Sequence, residues 1–245
     1  MNKNKNSFQK GFEPISSQQM YTIENNGERI LGLSKLLMME NAGSTISDFL
    51  INHFKDNLNE KKIVSLCGLG NNGGDAIVAN RHISGYLSSK FSTTNDNLVL
   101  VLLGKSDQIK TEESKTNWKI IEKIKAIKKL SLDAENINDI EMEIESSDII
   151  IDGIFGTGIN GIIKDPLSKV IDKINQQKTK SFILSVDIPS GLNPDTGEIY
   201  DKSIKANTTI TFHRIKHGLL KNIEYSGEIL PVKIGIPIEA EMDVI

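Results

Sequence analysis

The feature that most constrains this chain is a set of short, unbroken apolar runs. Ile63-Val64-Ser65-Leu66-Cys67, Leu98-Val99-Leu100-Val101-Leu102-Leu103, Asp148-Ile149-Ile150-Ile151-Asp152 and Phe182 to Asp187 each read as a strand that is apolar on both faces. A strand with one face in water alternates polar and apolar residues, and these do not. They need cover on both sides, which is the condition of strands in a parallel sheet. Helical patterns lie between them, at Ala76 to Tyr86, Glu112 to Ile127 and Pro166 to Asn175, where Pro166 suits a first helical turn. Thr208 to Phe212 and Ile229 to Ile234 read as two further strands. The expectation is an α/β chain with a mainly parallel sheet between helical layers.

Two helices precede the sheet. Ser16 or Ser17 is placed to cap the first, which runs toward Asn25 and ends at Asn26-Gly27. The second runs from Ser34 toward His53, with Leu36, Leu37, Met38, Ala42, Ile46, Phe49 and Leu50 recurring at helical spacing. Its Leu-Met-Met run reads as core packing. Met1 to Gly11 is polar and has no apolar segment of a secretory signal. Residues 1–12 are therefore expected to be a disordered tail, and 13–245 a single domain.

Composition removes several classes. Lys+Arg 29 against Asp+Glu 32 gives a net charge of −3, so no basic field exists to hold nucleic acid or an anionic membrane. No apolar run approaches the roughly 20 residues that span a bilayer. A single cysteine, Cys67, excludes an internal disulfide and fits a cytoplasmic location.

In a doubly wound sheet, ligands bind at the turns after the strands. The first such turn is Gly68-Leu69-Gly70-Asn71-Asn72-Gly73-Gly74-Asp75, which contains G-x-G-x-x-G between a strand and a helix. Its glycines permit close backbone approach, and helix N-terminal N–H groups favour phosphate. An ordinary dinucleotide site also needs an acid at the tip of the second strand, for the ribose hydroxyls. Here that tip is Leu103-Gly104-Lys105, so a modified nucleotide site is expected instead. The next turns are Asp152-Gly153-Ile154-Phe155-Gly156-Thr157-Gly158-Ile159-Asn160-Gly161 and Asp187-Ile188-Pro189-Ser190-Gly191. Asn72, Asp152 and Ser190 put oxygen donors at three neighbouring tips, a set suited to a hard cation and, with neutral dipoles present, to a monovalent one. His53, His82, His213 and His217 show no paired zinc spacing, and His82 reads as a packing or capping residue.

Taken in order, these blocks resemble the NAD(P)H-hydrate epimerases, the YjeF N-terminal domain family, whose animal members are also called apolipoprotein A-I-binding proteins. The resemblance rests on Met39-Glu40-Asn41-Ala42-Gly43, on Cys67 to Asp75 with Arg81-His82, on Asp152 to Gly158, on Ser185 to Gly191, and on Thr209 to Leu219. Ala76 and Asn207 depart from the usual glycine and aspartate. The resemblance implies a three-layer α/β/α Rossmann-like sandwich and an isomerase that interconverts the R and S epimers of C6-hydrated NADH and NADPH. It implies substrate binding by Asn71, Asn72, Gly73, Gly74 and Asp75, by Gly156, Thr157, Gly158, Ile159, Asn160, Gly161 and Ile162, and by Asp187. It also implies one potassium ion per subunit on Asn72, Asp152 and Ser190. Asp187 is the candidate catalytic carboxylate, at the central strand tip, and Lys216 is a second catalytic candidate. A homodimer and a separate S-specific NAD(P)H-hydrate dehydratase are the expected partners. A plain oxidoreductase and a non-catalytic binding protein on the same fold are the competing readings.

Overall fold

The computed structural model describes residues 11–91, 97–132, 136–157 and 161–245. The apolar runs pair into one seven-stranded sheet. Its strands are β1 (Ile63–Cys67), β2 (Leu98–Leu102), β3 (Lys128–Ser131), β4 (Ile149–Gly153), β5 (Phe182–Val186), β6 (Thr208–Phe212) and β7 (Glu228–Val232). Every pairing is parallel, and the spatial order is β3-β2-β1-β4-β5-β6-β7. The central strands are buried along their whole length, which is why their sequences lack a polar face.

Helices α1 (Ser17–Leu31), α2 (Lys35–Phe54), α3 (Asn71–Phe91) and α4 (Glu112–Ile121) cover one face. Ile63, Leu100, Ile151 and Leu184 meet Ile23, Ile46, Ile83 and Trp118 there. Helices α5 (Ile137–Glu145) and α6 (Leu167–Gln176) cover the other, where Val64, Val99 and Ile150 meet Ile140, Ile144 and Ile171. Two short helices, α7 (His217–Lys221) and α8 (Ile223–Ser226), lead from β6 to β7. The result is a three-layer α/β/α sandwich.

Several expected boundaries move, each for a local reason. Ser16 does cap α1: its Oγ accepts from Gln19 N at 3.1 Å while its own N–H donates to Gln19 Oε1 at 2.9 Å. The helix does not end at Asn26-Gly27. Gly27 is a packing glycine, since a Cβ there would lie 2.9 Å from Met38 Cε. The stop is Gly32, whose φ of 70° is the left-handed conformation that closes a helix. On α2, Leu36 and Leu37 are exposed rather than core, because Met38, Ala42, Ile46 and Leu50 occupy the inward face. Helix α3 starts at Asn71, ahead of the expected Ala76. Helix α4 stops at Ile121, and the chain then supplies β3, an edge strand of mixed exposure that carries no apolar run. Helix α5 is likewise an element beyond those expected. Residues 1–10 of the expected tail lie outside the described residues. Gly11 and Phe12 are held in place: Lys233 Nζ donates to Gly11 O at 2.7 Å, and Phe12 packs beside Ile188 and Leu192.

Candidate active site

The order of the strands makes a crevice. From β1 the chain winds to β2 and β3 on one side, and from β4 it winds to β5, β6 and β7 on the other. The loops after β1 and β4 therefore part, as at other switch points of α/β sheets. Between them lies a cleft of about 630 Å³ lined by Gly68 to Asn72, Ile154 to Thr157, Lys110 and Thr111. The turn after β1 must be glycine to fit. A Cβ on Gly68 would lie 1.8 Å from Ile154 O, and one on Gly73 would lie 1.9 Å from Gly68 O. Gly70 is different, since a Cβ there would meet nothing within 4 Å. The tight turn brings the first N–H groups of α3 to the cleft, which suits an anionic ligand.

The oxygen donors converge at the same tips. Sheet register places Asp152 between Leu66 of β1 and Ser185 of β5. Asp152 is fully buried, and burial pushes its carboxyl above the usual range. Ser190 Oγ at 2.5 Å, Ser190 N at 2.9 Å and Ser185 Oγ at 2.7 Å donate to it and hold it back toward the ionised form. Ser190 Oγ also accepts from Phe155 N at 2.9 Å and lies 3.3 Å from Phe155 O. Asn72 Nδ2 donates to Val186 O at 2.6 Å, which turns Oδ1 toward Gly156, where a Cβ would sit 2.3 Å away. Among the described residues no hydrogen-bond donor reaches that Oδ1. An amide oxygen without a protein donor, a buried carboxylate, a hydroxyl and a carbonyl form an all-oxygen set of the kind that suits a hard monovalent cation. Among the described residues there is no group of three or more His, Cys, Asp or Glu for a transition metal.

Asp187 and Lys216 meet one strand further on. Asp187 has a φ of 63° and leaves β5 with its N–H donating to Ile210 O at 2.8 Å. Its Oδ1 accepts from Lys216 Nζ at 2.5 Å, Phe212 N at 3.0 Å and Thr211 Oγ1 at 3.1 Å. Oδ2 makes no hydrogen bond among the described residues, so one oxygen stays free to act. Lys216 is 1% exposed and also donates to Phe212 O at 3.0 Å and Thr211 Oγ1 at 3.2 Å. It is a buried partner of the carboxylate, not a solvated lysine. The backbone is clamped at this point by Ile15, which bridges to Lys216 and accepts from His217 N at 3.2 Å.

A smaller cavity lies on the other side of the α3 N-terminus. Asn71, Asp75, Met38, Met39, Phe212 and Glu24 line it. The methionines thus pack and also face a cavity. Asp75 is 7% exposed, and burial together with the charges of Asp187 and Glu24 pushes its carboxyl well above the usual range. Glu24 is raised too, by burial first, with Lys216 pulling the other way. Sequence reasoning missed Glu24. The signal was present: Met20, Ile23 and Gly27 are the buried positions of α1, and Glu24 sits one turn after Met20 on that face.

The remaining expected residues are placed as follows. Gly156 packs on Asn72, and Thr157 lines the cleft. Gly158, Ile159 and Asn160 lie outside the described residues. Gly161 and Ile162 are exposed, Ile162 at 80%. His82 Nε2 lies 2.8 Å from Glu40 Oε1, and Arg81 pairs with the other oxygen of Glu40, so these residues tie α3 to α2. Cys67 is buried, and burial pushes its thiol up, away from reactivity. Among the described residues no helix is long and apolar enough to cross a membrane.

The family described as YjeF-related protein N-terminus matches residues 35–218. The chain belongs to that family. It is 41% identical to the NAD(P)H-hydrate epimerase of Nitrosopumilus maritimus (strain SCM1) over 93% of this chain and 97% of that protein. It is 42% identical to the NAD(P)H-hydrate epimerase of Cenarchaeum symbiosum (strain A), over 94% of this chain and 99% of that one. The bifunctional NAD(P)H-hydrate repair enzyme of Pyrobaculum aerophilum is 34% identical over 94% of this chain, which corresponds to 43% of its own length. Among solved structures, yeast YNL200c superposes with a TM-score of 0.72 at 22% identity, covering 90% of this chain and 88% of that one. That likeness supports the Rossmann-like fold.

Proposed function

We propose that this protein is an NAD(P)H-hydrate epimerase. It interconverts the R and S epimers of NADH or NADPH hydrated at C6 of the nicotinamide ring, with no net redox change. The observation that carries this reading is the pair of relatives of that name, matched end to end at 41% and 42% identity. The reading carries a chemistry with it. Asn71 to Asp75, at the start of α3, and the segment from Gly156 to Ile162 hold the dinucleotide. Loss of the C6 hydroxyl, driven by the ring-nitrogen lone pair, gives a planar iminium, and water returns to either face. A base for that water accelerates the step by about 100- to 10,000-fold. Asp187 takes this role through its free Oδ2, while Lys216 holds Oδ1.

Asn72, Asp152 and Ser190 would hold one potassium ion, which would supply fixed positive charge to an anionic substrate. Asp152 and Ser190 brace the turns after β4 and β5 against each other with or without it. A separate S-specific NAD(P)H-hydrate dehydratase consumes the S epimer, and the protein acts as a homodimer in the cytoplasm. The test of the activity is to incubate the purified R hydrate with the protein and follow both epimers by chromatography. Conversion to a mixture supports the reading. An R epimer that persists at its uncatalysed rate, with potassium present and protein in excess, overturns it.

A further inference from the structure

An epimerisation that passes through loss and return of water needs two proton-transfer groups, one on each face of the ring. The departing hydroxyl must gain a proton, and the entering water must give one up. Asp187 already accepts at Oδ1 from Lys216 Nζ at 2.5 Å, Phe212 N and Thr211 Oγ1, which leaves its Oδ2 to exchange a proton on one face. The group for the opposite face has to come from elsewhere.

The smaller cavity supplies a candidate. Glu24 lines it together with Asn71 and Asp75, both in the turn that holds the dinucleotide. Glu24 makes no hydrogen bond and no ion pair among the described residues, although it projects from the core-facing side of α1. Asp75, more than nine-tenths buried and likewise without a hydrogen-bond partner among the described residues, faces the same cavity. Neither carboxyl group is sealed into the core, and both open onto this one cavity. Their free oxygens are available to a ligand. The N-terminal segment also fixes the position of Glu24. Ile15 bridges to Lys216, and α1 follows at once, so the same backbone contact that seats Lys216 anchors the helix that brings Glu24 to the smaller cavity.

We propose that Glu24 is a further catalytic residue, the carboxyl group that protonates the departing C6 hydroxyl while Asp187 receives the proton of the incoming water. This rests on the epimerase reading and assigns the other half of its proton traffic. The C6–O bond breaks with its electron pair on oxygen, which takes the Glu24 proton and leaves as water. The N1 lone pair forms the C=N bond of the iminium. Water then adds from the Asp187 side, the C=N electrons return to nitrogen, and Asp187 takes the proton. The enzyme is left with Glu24 ionised and Asp187 protonated, which is the starting state for the reverse direction. Exchange with solvent resets it. Charged and titratable groups around Glu24 are Lys35 on α2, Asp75 on α3, Glu113 on α4, Asp187 after β5 and Lys216 before α7. Burial favours the neutral form of Glu24, in keeping with a donor.

The test uses the full chain, the purified R hydrate, and the variants Glu24→Gln and Glu24→Asp. For Glu24→Gln the expected result is a kcat about 100-fold or more below wild type with KM little changed. The alkaline limb of the kcat–pH profile should disappear, and Glu24→Asp should restore part of the rate together with that limb. A kcat within a few-fold of wild type overturns the proposal. So does a lowered kcat that keeps the alkaline limb, which marks a structural role. If the wild-type protein itself leaves the R hydrate unconverted, the epimerase reading falls first and this inference with it.

Discussion

Replacing Lys216 with methionine tests the heart of the site. The ammonium is 1% exposed and makes three hydrogen bonds, to Asp187 Oδ1 at 2.5 Å, Phe212 O at 3.0 Å and Thr211 Oγ1 at 3.2 Å. Methionine keeps most of the apolar stem, so the cavity left behind is small. What remains is a largely buried carboxylate without its counter-charge. Removing one partner of a buried pair costs about 3–5 kcal/mol. At about 2–4 °C per kcal/mol for a domain of this size, the melting temperature should fall by about 6–20 °C. Circular dichroism melts and urea titrations at pH 7 measure it. Asp187→Leu combined with Lys216→Met removes both charges and should recover much of the loss, with a coupling of about 0.5–3 kcal/mol. A single-variant loss below about 1 kcal/mol, or a double variant that merely sums the two single losses, refutes the buried-pair reasoning.

Three further outcomes follow from the geometry. Gly73→Ala forces a Cβ to within 1.9 Å of Gly68 O and should cost about 1–3 kcal/mol or more, whereas Gly70→Ala faces open space and should keep its melting temperature while raising the substrate KM. His213 is buried beside the cations Lys233 and Arg214 and is lowered to about 4, despite Glu241 at 2.7 Å. Its neutral form is favoured by folding, so its contribution is fully present above about pH 6.5 and is lost as pH falls toward 4. At about 1.4 kcal/mol per unit that is about 3 kcal/mol, and His213→Gln should lose correspondingly less between pH 7 and pH 4.5 in urea titrations. Asp152→Asn should abolish any melting-temperature gain that wild type shows in potassium over sodium, a gain of about 2.7 kcal/mol at one hundred times Kd. An unchanged gain in the variant places the ion elsewhere.

The central strands were legible because burial on both faces leaves no polar alternation to confuse them. Edge strand β3 was not, since Lys128-Lys129-Leu130-Ser131 is only partly buried and reads like the end of the preceding helix. Glycine carries more than one meaning, and Gly27 shows it: the residue marks a stop in sequence, but in the fold it is a contact with Met38. The strand-tip residues of the site could be named because a parallel sheet puts its ligands at known turns. The pairing of Asp187 with Lys216 could not, because a contact between residues on two different loops leaves no periodic trace. Glu24 lay in plain view as a carboxyl on an apolar helical face. Its meaning appears only when α1 is seen to line the smaller cavity beside Asn71 and Asp75.

The most direct measurement starts with a mixture of R and S hydrates on which an S-specific dehydratase has acted until it stalls. The R epimer is then all that remains. Adding this protein should restart NADH or NADPH formation until the R epimer is gone, and Asp187→Ala should not restart it. No resumption with the wild-type protein, at high concentration and in potassium, would contradict the account.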